Sequence, residues 1–113
     1  MDKQLEILNE LSSILHFSTE IKYDSAHLEY KFNPDEQWNS FSVWYEKNQQ
    51  NYSPNDFDKI SYEAQELCKE LHNEMQSHTG GDWRKFILTI DETGKAKTQF
   101  IYEIQSCMDQ FRE

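Results

Sequence analysis

The sequence predicts an α+β domain: a five-stranded, mostly antiparallel sheet with two main helices packed on one face, in the order α-β-β-β-α-β-β. Three observations predict it. Residues 2–16 and 54–78 repeat their apolar side chains at helical spacing. Five shorter runs alternate apolar and polar residues with the period of a strand. Every connection between those runs is short except the one that holds the second helix, so consecutive strands should pair as antiparallel neighbours. The 113 residues make one domain, 1–113, with a core of modest size.

In the first helix Ile7, Leu8, Leu11, Ile14 and Leu15 share one face, with Glu6, Asn9, Glu10 and Ser13 turned away. The period then changes. Ile21 and Tyr23 alternate over 18–24; Leu28, Tyr30 and Phe32 over 27–33; Phe41, Val43 and Tyr45 over 39–47. Asp24-Ser25-Ala26 is a tight connection, and Asn33-Pro34-Asp35-Glu36 is a turn by composition. Trp44 falls on the polar side of its run, covered by a neighbour or exposed for binding. Residues 48–55 read as a polar loop. Ser53-Pro54 then reads as an N-cap and a first helical proline. Phe57, Ile60, Ala64, Leu67, Cys68, Leu71 and Met75 form the apolar stripe of the second helix, which ends at Gly80-Gly81.

A hairpin over 83–102 follows and is the clearest structural pattern in the chain. Phe86, Leu88 and Ile90 alternate with Lys85, Ile87 and Thr89; after Asp91-Glu92-Thr93-Gly94, Ala96, Thr98, Phe100 and Tyr102 alternate with Lys97, Gln99, Ile101 and Glu103. A lone hairpin is marginal in water, so the rest of the chain must cover its apolar face. In this arrangement Trp44, Ile87 and Ile101 lie on the sheet face away from the helices. Residues 104–111 read as a last helical turn or a tail.

The net charge is −10, and it is uneven: −9 through Gly80 and −1 from Gly81 onward. That balance excludes the clustered Lys and Arg of a nucleic-acid or anionic-membrane surface. It suits a basic protein partner, and equally a chain made acidic for solubility. No apolar run is long enough to span a membrane. The first fifteen residues read as an amphipathic helix rather than a secretory signal, and two cysteines, Cys68 and Cys107, are no disulfide framework, so a cytoplasmic chain is expected.

Three glycines cannot build a nucleotide loop, and no HExxH, CxxC or GxSxG occurs. Cys68 and His72, with His78 further along, are the best metal candidates, but nothing completes a set of four ligands; no metal and no cofactor is expected. Acid pairs are everywhere in so acidic a chain and mark no catalytic site.

Two surfaces are candidates for binding. Glu63, Glu66, Glu70 and Glu74 follow one another at spacings of three and four along the second helix, an acidic ridge that suits either a basic partner or plain solvation. Asp35, Glu36, Trp38, Tyr52, Asp56 and Asp58 interleave aromatic and acidic residues in the loops, where aromatics can anchor an interface. Trp44 joins them if it is exposed.

The run Trp83-x2-Phe86-x-Leu88-x-Ile90-Asp91-x2-Gly94-Lys95-x4-Phe100-x-Tyr102-Glu103, straight after a long acidic helix, resembles the YezG-like family of immunity proteins. Those are small cytosolic antitoxins that neutralise nuclease toxins of bacterial polymorphic secretion systems; immunity proteins of contact-dependent inhibition systems fill the same role. The resemblance implies a binding protein with no catalytic residues. It implies a cognate basic nuclease toxin domain as partner, the C-terminal domain of a large secreted effector, with no direct contact to nucleic acid or membrane. The matched residues are those of the hairpin's strands and turn, so they bear on the fold more than on the binding surface. The residues alone leave two alternatives: a generic cytosolic interaction or adaptor module, and a small enzyme or metal-binding regulator.

Overall fold

A computed structural model describes residues 2–104; Cys107 and the expected last turn beyond Ile104 lie outside the described residues. The elements are α1 (Asp2–Phe17), β1 (Ser25–Asn33), β2 (Trp38–Lys47), β3 (Gln50–Tyr52), α2 (Phe57–Thr79), β4 (Lys85–Asp91) and β5 (Ala96–Ile101). The five strands form one antiparallel sheet in the order β3-β2-β1-β4-β5. This is the expected class and element order.

Two strand positions differ from expectation. Residues 18–24 form no strand. Tyr23 is buried and Ile21 packs on the core, so their alternation reports burial, while only Asp24 N–H reaches the sheet, donating to the Glu46 carbonyl. The third strand lies instead in the polar stretch expected as a loop. Asn48 and Gln49 take φ of 53° and 65°, and Lys47 pairs with Gln50. Two consecutive left-handed residues between paired neighbours are the primed two-residue turn that matches strand twist. The Asp24 carboxylate accepts from Asn48 N–H and holds that turn.

The helix boundaries also shift. Asp56, not Ser53, caps α2: its side chain accepts from Lys59 N–H, three residues on. Pro54 is buried before the helix rather than in its first turn. At the other end Gly80 takes φ 72° and donates to the Gln76 carbonyl, a left-handed cap that glycine adopts without strain.

Both helices cover one sheet face. Ile7, Leu11 and Leu15 of α1 and Ala64, Leu67, Cys68 and Leu71 of α2 pack on Ala26, Leu28, Tyr30, Val43, Tyr45, Phe86, Leu88 and Ile90. Each buried Leu or Ile contributes about 1.5–3 kcal/mol. Trp83, fully buried just before β4, is the hub of one end of the core. Its ring meets Tyr30, Phe32, His72, Phe86 and Phe100 with centroids 5.0–6.4 Å away.

Among the described residues, no helix lies on the other sheet face. Register puts Ser25, His27, Glu29 and Lys31 of β1 there, beside Glu46, Trp44, Ser42 and Ser40 of β2. Asp91, Thr89, Ile87 and Lys85 of β4 flank β1 on its other side, and β5 adds Lys97, Gln99 and Ile101. Trp44, Ile87 and Ile101 thus occupy the expected face. No described helix is long and apolar enough to cross a membrane.

Candidate protein-binding surface

The residues of the second candidate surface do not come together. Asp35, Glu36 and Trp38 sit at the β1–β2 turn, where Trp38 opposes Asn33. Tyr52 opposes Tyr45, seven residues along β2. At about 3.4 Å per residue that is roughly 24 Å of strand. Asp56 and Asp58 flank Phe57 at the start of α2, and the Phe57 ring meets Phe41, midway along β2, with centroids 5.8 Å apart. The loops adjoin in sequence, and the length of β2 separates Tyr52 from the turn.

The turn group is ordered by its own hydrogen bonds. Asn33 Oδ1 accepts from the N–H groups of Asp35 and Glu36, and Trp38 Nε1 donates to Glu36 Oε1 at 2.7 Å. Trp38 therefore stands fixed beside a carboxylate. Asp56 is occupied as a helix cap, and Tyr52 donates to Gln50 Oε1. Trp44 is half-buried, its indole stacked on the His27 ring with centroids 4.9 Å apart and planes 9° apart.

The acidic ridge of α2 is partly neutralised. Glu70 reaches Lys3 of α1 at 2.8 Å, Glu66 pairs with Lys69 at 3.1 Å, and Glu74 lies 3.5 Å from His78. The Glu70 carboxylate holds the Lys3 ammonium above its usual pKa. Glu70 thus ties the helices together at their rim, while Glu63 and Glu66 face water. Between them and Asp58 stands Tyr62, 75 % exposed. Sequence reasoning missed this residue. Its signal was available: Tyr62 falls outside the apolar stripe of α2, and a large aromatic on the polar side of a helix is a natural interface anchor.

Between the β1–β2 turn and α2 opens a cavity of about 650 Å³. Tyr30, Phe32 and Trp38 supply its aromatic walls, and Lys69, His72 and Asn73 line the α2 side. Among the described residues no carboxylate lines it. His72 Nε2 donates to Asp82 Oδ1 at 2.8 Å, and Asp82 also accepts from Arg84, whose guanidinium lies 5.4 Å from the Phe32 ring centre. These bonds join the end of α2 to the start of β4.

Two groupings invite a chemical reading. Ser25, His27 and Glu46 meet on the open face, but Ser25 Oγ at 2.8 Å and Glu46 Oε1 at 3.5 Å both approach His27 Nε2. A nucleophile–base–carboxylate relay needs hydroxyl and carboxylate on opposite ring nitrogens, so this trio is not one. Cys68 and His72 part company: Cys68 is in the core, where burial pushes its thiol pKa up, and His72 is held by Asp82. Among the described residues no group of three or more His, Cys, Asp or Glu is arranged to hold a metal ion.

Compared with known proteins, the chain matches no protein-family model and no curated protein.

Proposed function

We propose that the protein is an immunity protein that binds and neutralises a cognate nuclease toxin domain in the bacterial cytoplasm, the toxin being most readily an RNase. The observation that carries this reading is where the charge lies. The open sheet face holds Glu29, Glu46 and Asp91 against Lys31, Lys85 and Lys97 and is neutral. The excess of acids in the −10 chain therefore sits on the helices and loops. A nuclease carries a basic groove for phosphates, and an acidic surface complements it and speeds encounter. Tyr62, between Asp58 and Glu63–Glu66, supplies the aromatic anchor that charge alone lacks. Binding there covers the toxin's groove or its access to substrate.

The test is co-expression with the C-terminal toxin domain of a large secreted effector, where one is encoded beside this gene, scored by growth rescue and by a complex that co-purifies. The absence of both rescue and a complex sinks the proposal. Within a complex, Glu63→Lys and Glu66→Lys should slow association severalfold at low salt and little at high salt. Tyr62→Ala should mainly speed dissociation, by about tenfold or more. Glu70 is a poorer probe, because its reversal also breaks the bridge to Lys3.

A second reading, a general interaction module, is favoured by the cavity between the β1–β2 turn and α2, whose 650 Å³ can receive a partner's side chain.

A further inference from the structure

We propose that the open face of the sheet joins two copies of this chain as a face-to-face, two-fold dimer. Two copies that each carry −10 repel, so they can meet only where the surface is neutral. The open face is that surface, and its outermost charges on β1 and its two neighbours lie at opposite ends, with Glu29, 3.4 Å from Lys85, and Lys97 between them. Glu46 and Asp91 flank Ser25 at one end; Lys31 and Lys85 lie side by side, six residues along β1, at the other. A two-fold axis in the plane of the interface and perpendicular to the strands reverses strand direction and keeps strand order. It therefore lays the acidic end of each copy over the lysine end of the other. Lys85 then meets Asp91 of the second copy, and Lys31 falls between its Glu46 and Asp91. Such self-complementarity is what an isologous contact requires.

Lys31 is only 7 % exposed and makes no ion pair among the described residues, and the dimer sets a carboxylate beside it. Trp44, Ile87 and Ile101, all half-buried, provide the apolar contact between the two sheets. The acidic helices of both copies remain on the outside, so the pairing is independent of what they bind.

Sedimentation velocity of the purified chain at 1–100 μM (about the range of a reversible dimer) tests this. The expected species at the upper end has twice the 13.6 kDa mass of one chain. Glu46→Lys and Lys31→Glu should each weaken the dimer tenfold or more, and the two together should restore it. Ile87→Arg, at a half-buried site near the axis, should give a monomer with an unchanged circular dichroism spectrum. A monomer throughout overturns the proposal. So does a dimer indifferent to Ile87→Arg and to the charge swap, since it must use another surface.

Discussion

The Tyr45 hydroxyl donates to the Leu15 carbonyl at 2.6 Å, joining β2 to the last turn of the first helix. Both residues are fully buried. The bond satisfies one of the four carbonyls that a helix end leaves without an internal partner. It also ties α1 to β2, two elements separated in sequence by an irregular segment and by β1.

Tyr45→Phe should therefore lower stability by about 1–2 kcal/mol in urea unfolding, because the Leu15 carbonyl stays buried while its donor is gone. Tyr45 also sets an alkaline limit. Burial pushes its hydroxyl and that of Tyr30 up to about 12. An unfolded tyrosine ionises near 10, so between about pH 10 and 12 the unfolded chain loses protons that the fold retains. Stability falls as pH rises through that window, by about 1.4 kcal/mol per pH unit for each tyrosine. Urea midpoints measured across it should show the fall, and Tyr45→Phe should flatten part of it, while Tyr30 and Tyr23, both also raised by burial, keep the rest.

The β2–β3 turn can be improved. Gln49 holds φ 65° without being glycine, in a turn whose preferred pair is Asn-Gly. Gln49→Gly should raise stability by about 0.5–1 kcal/mol, the left-handed strain relieved less the entropy glycine adds to the unfolded chain. A lower melting temperature for this variant would contradict the turn as described.

His27 should titrate below its ordinary value. Burial disfavours its charged form, and Glu46 at 3.5 Å offsets part of that. The contribution of this histidine to stability is complete above about pH 6.5 and is lost as pH falls through its folded pKa. Imidazole NMR shifts should give the lowered midpoint, and Glu46→Gln should lower it further. An upward move in that variant would mean the carboxylate does not face the ring.

Asp82→Ala should cost about 1–3 kcal/mol, since it leaves the N–H of half-buried His72 without its acceptor and frees Arg84. Asp82→Asn keeps an acceptor for His72 and should lose less. Thermal melts of the two variants compare the effects directly.

The helices and the 83–102 hairpin were legible because their cores are regular. Leu67, Cys68 and Leu71 follow helical spacing, and Phe86, Leu88 and Ile90 follow strand spacing, with nothing to break either period. Strand identity over 18–24 was not legible. Ile21 and Tyr23 are packed inward on a segment that has no ladder partner, and alternation alone cannot distinguish the two cases. Gln50–Tyr52 was missed for the opposite reason: all three residues are exposed, and only pairing with β2 makes them a strand. Ser53-Pro54 matched a cap pattern that Asp56 fulfils three residues after Ser53. The split of the loop surface needed the register of β2, which no local pattern carries. Tyr62 needed only the helix period, applied to the polar side as carefully as to the apolar one.

β1 is the middle strand, and its two neighbours come from opposite halves of the chain: residues 38–46 on one side and 85–91 on the other. During synthesis the first meander can form while one edge of β1 still has unpaired backbone groups. That edge closes only when β4 leaves the ribosome, after α2. Until then the nascent chain presents an open strand next to Leu28 and Tyr30, the arrangement most prone to pairing with a neighbouring chain. The final hairpin thus decides when the protein becomes safe from aggregation, and truncations that remove it should be recovered from cells as insoluble material.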